Sequence, residues 1–141
     1  MSTTEPVQSR LALVLRDDLL TWQRLNVTAF LSSSIAANPQ SPPMGGTYVD
    51  ALGRNYGEMF AQPVMVFEAN AQVLQSALLT ALDENMVVRV FPDVLFTTGN
   101  DADNRAAFMK LAPREMAVAG LALLGGRNRI SKLLAGARKH P

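Results

Sequence analysis

The chain contains no cysteine and a single histidine, His140, next to its C-terminus. The first absence excludes disulfides and thiol catalysis and favours a reducing, cytoplasmic location. The second excludes a histidine metal cluster and leaves a Ser-His-Asp arrangement only a terminal histidine to work with. Long apolar runs are missing as well, and none approaches the ~20 residues that a membrane-spanning helix requires. The polar start, Ser2, Thr3, Thr4 and Glu5, lacks the basic segment and apolar stretch of a secretory signal. Charge is sparse, at 18% of residues, and the net charge is +1, so bulk electrostatics selects neither a polyanion nor a polycation as partner. No Walker loop, dinucleotide fingerprint, zinc motif or nucleophile elbow occurs, so no cofactor and no metal are expected.

What is present is a globular composition. Hydrophobic residues make up 48% of 141, enough for one domain with a sizeable core. Residues 1–9 read as a flexible arm and 10–141 as a single α/β domain. Leu11 to Leu15 is a short, continuous apolar run, the pattern of a strand buried on both faces. Arg16, Asp17 and Asp18 end it. A helix is expected over about Trp22 to Ala37, with Leu25, Ala29, Phe30 and Ser33 near a 3.6-residue period. Asn38 to Gly46, with three prolines and two glycines, reads as a loop. Thr47 to Leu52 and Tyr56 to Phe60, around Gly53-Arg54-Asn55, read as a hairpin.

Further strands are expected at Gln62 to Glu68, Met86 to Phe91 and Ala117 to Leu124. Asn70 is suited to cap a helix over Ala71 to Glu84 whose stripe is Val73, Leu74, Ala77, Leu78, Ala81 and Leu82. A surface helix is read over Asp101 to Leu111. Gly125-Gly126 leads into a C-terminal amphipathic helix with Ile130, Leu133, Leu134 and Ala137 on one face. The order of elements predicts a three-layer α/β fold: a mixed central sheet of about four strands with helices on both faces. The seven methionines are scattered and read as core filler.

Two polar strand ends carry the candidate chemistry, because ligands of open α/β sheets sit outside the carboxyl ends of strands. At the first, Asp17 and Asp18 either serve acid–base or metal chemistry or, with Arg16, form an ion pair and a helix cap. Neighbours on an extended chain point opposite ways, which sets the two carboxylates apart. At the second, Asp93 follows a strand directly, with Thr97 and Thr98 close behind. If the two strands are neighbours, Asp93 lies near Arg16, Asp17 and Asp18. Trp22 either stacks on a flat ligand or seals its helix against the core. Gly125-Gly126 before a helix is suited to present N–H groups to an anion. After Glu115 there is no acidic residue, yet Arg127, Arg129, Lys132, Arg138 and Lys139 follow, a solvated face or a phosphate-facing patch.

The segments LALVLRDDL and LNVTAFLSSSIAA resemble the first strand and helix of the type-two peptidyl-tRNA hydrolases. VVRVFPDVLFTTG resembles that family's later strand with its Asp-x-x-x-Thr, and GLALLGGRNRISKLLAG its last strand, Gly-rich turn and C-terminal helix. Closer still, RDDL, WQ, LNVTAFL and the YVDA hairpin resemble a bacterial family of small uncharacterised proteins sharing this fold. The resemblance implies that Asp93 and Thr97 match the hydrolases' aspartate and threonine, and that Arg16 and Asp18 match the first-strand motif. The hydrolases' lysine has no counterpart, since no lysine lies between Arg16 and Leu31 and Arg24 is the nearby cation. An arginine replaces neither a proton acceptor nor a compact ammonium.

The expected function is therefore a hydrolase-like domain lacking that lysine. Its cleft, lined by Arg16, Asp17, Asp18, Trp22, Asn26, Asp93, Thr97 and Thr98, binds a small molecule or a protein. The alternatives are an active hydrolase of peptidyl-tRNA or a related ester or amide, with the basic C-terminal helix on tRNA phosphates, and a homodimeric interaction module. No membrane partner is expected.

Overall fold

The computed structural model describes residues 9–39 and 43–141. The expected N-terminal arm lies outside the described residues except for Ser9, which opens the first strand. The elements, in order, are β1 (Ser9–Arg16), α1 (Thr21–Ala36), β2 (Met44–Val49), β3 (Asn55–Phe60), β4 (Val64–Ala69), α2 (Ala71–Asp83), β5 (Val87–Pro92), α3 (Asp101–Phe108), β6 (Val118–Gly126), α4 (Arg127–Leu133) and β7 (Arg138–Lys139). Single 3-10 turns, Asp93–Thr97 and Pro113–Glu115, follow β5 and precede β6.

The main sheet has five strands in the order β5-β6-β1-β4-β7, and β2 and β3 pair apart from it as a two-stranded antiparallel hairpin. β1 and β4 are parallel, whereas β6 runs antiparallel to both β1 and β5. It follows that β1, β4 and β5 all point the same way, and their carboxyl ends share one edge of the domain.

β1 is buried on both faces as its apolar run requires, and Leu11 to Leu15 are all 2% exposed or less. Leu11, Leu13 and Leu15 pack with Val27, Leu31 and Ile35 of α1. Ala12 and Val14 face the other way, into a second cluster with Leu74, Ala77, Leu78 and Ala81 of α2 and Ile130 of α4. Helices thus cover both faces of the sheet. Asn70 caps α2 as its side chain predicts, accepting a hydrogen bond from the Val73 N–H at 2.9 Å. Asn85, at φ 55°, ends that helix in the left-handed conformation that asparagine tolerates.

Four expectations need correction. The sheet has five strands, not four. The fifth, β7, uses Arg138 and Lys139, and the C-terminal helix, expected to reach Ala137, stops at Leu133. Gly125 and Gly126 are not a turn but the last residues of β6, paired with Arg10 and Ser9 of β1. Met44 to Gly46 belong to β2, not to the loop before it.

The fourth correction concerns α1. Its stripe of Leu25, Ala29, Phe30 and Ser33 faces outward, with Leu25 69% and Phe30 51% exposed, while Val27, Leu31 and Ile35 face the sheet. The helix is apolar on two sides, so periodicity alone offers two phases, and the sheet selects the one with β-branched and leucine side chains. Leu82 of α2 is likewise exposed at 42%, at the edge of that helix's buried stripe.

Gly120 of β6 lets α1 lie this close. A Cβ there would stand 2.6 Å from Val27 Cγ1 and 3.3 Å from the Val14 carbonyl oxygen.

Candidate functional site

The carboxyl ends of β1 and β5 are brought together, though not by adjacency. β6 lies between them, so the two strands are not neighbours, and the Arg16 side chain spans the gap. Its Nε donates to Asp18 Oδ1 at 2.6 Å and its Nη1 to Asp93 Oδ2 at 3.0 Å. The Arg16 side chain is only 15% exposed, against 66% for Asp18 and 40% for Asp93. Burial opposes the charge on Arg16, but the two carboxylates outweigh it and move its pKa above the ordinary arginine value.

Asp17, in the turn that follows β1, takes no part in this cluster. Its backbone N–H extends the β1–β4 pairing to Ala69 O at 3.0 Å, and its side chain makes no hydrogen bond among the described residues. Neither aspartate caps α1. The capping position is Leu20, whose N–H donates to Gln23 Oε1 at 2.9 Å. No group of three His, Cys, Asp or Glu side chains arranged for a metal occurs among the described residues.

Beside the ion-paired cluster lies a cleft of about 340 Å³ between α1, the end of β5, the 3-10 turn after it and the start of α3. Trp22, Phe30, Phe91 and Phe96 form its aromatic walls, and Asn26, Thr98 and Asn104 its polar points. Trp22 does not seal the core. It is 55% exposed and meets Phe96 edge-on, with ring centroids 5.7 Å apart. Phe96 in turn packs on Phe91 at 5.1 Å, and Phe91 is the buried floor. The Asn26 side chain makes no hydrogen bond among the described residues. The Asn104 amide meets the Thr98 hydroxyl, which also donates to Leu95 O at 2.9 Å, and the amide's other polar atom has no partner among the described residues. Past Phe30 and Asn104 the cleft continues as a second depression of about 340 Å³ over Val88, Val90 and Phe108.

The residues expected in one site therefore separate into two adjacent groups. Arg16, Asp18 and Asp93 form the ion-paired cluster; Trp22, Asn26 and Thr98 line the cleft. Thr97 joins neither, because it is exposed and its hydroxyl donates to Val94 O at 2.7 Å within its own turn.

A third group supports the site and was not anticipated. Glu68, at the end of β4, has a side chain 6% exposed. It accepts from Arg24 Nη1 at 2.8 Å and from Arg138 Nε at 2.6 Å. Hydrogen bonds from Arg24, then from Arg138, hold its pKa below the usual carboxylate value. Arg24 also donates from Nε to Leu19 O at 3.0 Å and from Nη2 to Asp17 O at 2.7 Å, and its Nη1 stands 2.7 Å from His140 Nε2. One guanidinium thus fixes the loop that carries Asp17 and Asp18. The sequence signal was available: Arg24 is the sole charged residue of α1, and Glu68 closes a buried strand as Arg16 does. The aromatic walls were hidden because Phe30, Phe91 and Phe96 lie on three separate elements.

No helix among the described residues is long and apolar enough to cross a membrane. A search of curated proteins finds no match. Among solved structures, a protein of unknown function from Agrobacterium tumefaciens strain C58 is similar, with 34% identity, a TM-score of 0.87, and an alignment over 94% of this chain and 98% of the other. A family model described as "Protein of unknown function (DUF2000)" matches residues 9–141, nearly the whole domain, and the chain belongs to that family.

Proposed function

We propose that this is a cytoplasmic domain that binds a small, planar, uncharged ligand in the Trp22–Phe96 cleft, on a scaffold related to the type-two peptidyl-tRNA hydrolases but without their lysine. The observation that carries this reading is the pairing of aromatic walls with unpaired amide groups. Trp22, Phe30 and Phe96 offer ring faces and edges, and Asn26 and Asn104 offer donors and acceptors to a molecule lying between them. Asp101 is the only charged lining residue, and its carboxylate is taken up by Arg105. A neutral heterocycle or aromatic amide fits this chemistry better than an anion does.

The hydrolase relationship rests on the order of the resembling segments along the chain and on the convergence of the RDDL and PDVLFTT segments through Arg16 and Asp93. The chemistry does not follow it. Asp93 is engaged by a guanidinium, the Thr97 hydroxyl is turned back into its own helical turn, and no lysine lines the cleft. The purified protein is therefore expected not to hydrolyse peptidyl-tRNA. Turnover that disappears in Asp93→Ala would overturn this reading in favour of an active hydrolase.

A second copy of the chain is the macromolecular partner favoured by the outward stripe of α1. That stripe carries no charge and exposes the large side chains of Trp22, Leu25 and Phe30 beside the small Ala29 and Ser33. Antiparallel pairing about a two-fold axis would set large against small. Sedimentation that shows only monomer at high concentration would contradict it.

A further inference from the structure

A second, separate concavity lies on the side away from the Trp22 cleft. It lies between α2 and α4, has a volume of about 600 Å³, and is lined by Ser76, Thr80, Glu84, Asn128, Arg129 and Lys132 over an apolar floor of Ala77 and Leu133. α4 begins where β6 ends, at the amino end of β1. It therefore starts at the opposite end of the sheet from Arg16 and Asp93, and the groove is independent of the cleft.

Two features mark it as a site. The first is its unpaired donors. Helical serines and threonines commonly return their hydroxyls to the backbone, as Thr28 does to Arg24 O at 2.7 Å and Ser33 to Phe30 O at 2.6 Å in α1. Ser76 and Thr80 do not, and the side chains of Asn128 and Lys132 make no hydrogen bond or ion pair among the described residues, so all four exposed side chains are open to a ligand. Arg129 reaches Glu84 only at 3.8 Å, too far for a hydrogen bond. The second is charge. Two cations, two hydroxyls and an amide converge on a concavity with one carboxylate.

We propose that this groove binds the diphosphate or triphosphate group of a small molecule. Arg129 supplies a fork for two phosphate oxygens and Lys132 a point charge, while Ser76, Thr80 and Asn128 donate to the remaining oxygens. The groove contains no aromatic side chain, so it recognises the phosphate chain and not a stacked base. A nucleic-acid backbone would need to track onward to Arg10 and Arg127, which line a separate depression of about 260 Å³.

The test is titration of the full chain with inorganic pyrophosphate at low salt, followed by calorimetry and by amide chemical shifts. Saturable binding is expected, with shifts confined to residues 76–84 and 128–133. Arg129→Gln with Lys132→Gln should weaken it by about tenfold or more. Glu84→Gln should tighten it about two- to fivefold, because it removes a like charge from the rim; a stability defect would not produce that sign. Lys110→Gln, an exposed cation outside the groove lining, should leave pyrophosphate binding unchanged. The proposal is overturned if pyrophosphate fails to bind at millimolar concentration, if the double variant binds as well as the parent, if the shifts map elsewhere, or if only an oligonucleotide binds and does so through Arg10 and Arg127.

Discussion

Glu68→Gln is expected to lower the thermal midpoint on the order of 10 °C at neutral pH, the largest effect of any single polar substitution considered. The reason is what remains behind. Arg24, whose side chain is 19% exposed, loses the carboxylate that balances it, and Arg138 loses the anchor that holds β7 against β4. A buried pair contributes little net stability when intact, but removal of one partner leaves an uncompensated charge.

The pH dependence distinguishes this from a packing defect. The folded-state pKa of Glu68 lies below its ordinary value of 4.5. Its contribution is therefore fully present above about pH 4.5 and is lost as pH falls through the lower folded-state value. Thermal melts from pH 7 downward should show the parent losing stability in that acid range. Glu68→Gln should lack that component of the loss, so the two curves converge as pH falls. Parallel curves would mean that Glu68 is protonated in the fold and that the Arg24–Glu68–Arg138 arrangement is misassigned.

Gly120→Ala is expected to destabilise by about 1–3 kcal/mol and also to disturb the Trp22 cleft. The added methyl would press on Val27 Cγ1 at 2.6 Å and Leu31 Cδ1 at 3.2 Å, with the Val14 carbonyl behind it at 3.3 Å. A β-branched valine in a helix has little rotamer freedom with which to yield. The relief is movement of α1 away from the sheet, and α1 carries Trp22, Asn26 and Phe30. Denaturant unfolding measures the first effect. A change in the emission of Trp22, the sole tryptophan, measures the second. Full stability with unchanged emission would show that α1 does not depend on this contact.

The parts of the fold legible in the sequence are those with one unambiguous pattern. β1 announces itself because a strand buried on both faces must be apolar throughout, and α2 because its apolar residues form one stripe behind an asparagine cap. α1 was harder: apolar residues on both sides give two equivalent phases, and only the sheet decides between Val27–Leu31–Ile35 and Leu25–Ala29–Ser33. β7, two residues long and basic, has no periodicity to read; it exists because Glu68 and the edge of β4 hold it.

The site was legible where chemistry sits at a strand end. Arg16 and Asp93 could be singled out from sequence because each closes a buried strand, and the structure joins them. Asp17 and Thr97 could not be excluded in advance, since that depends on the direction of one side chain and on one hydroxyl's local bond. The cleft itself required the fold, because no linear pattern links Trp22 to Phe96 and Asn104.

The most direct test of the account is an amide-detected NMR screen of small neutral heterocycles and aromatic amides against the parent protein and Phe96→Ala. Ligands are expected whose shift changes cluster on residues 22–30 and 91–104 and whose affinity falls about tenfold when the Phe96 wall is removed. Ligands that map elsewhere, or that bind Phe96→Ala as tightly as the parent, would contradict it.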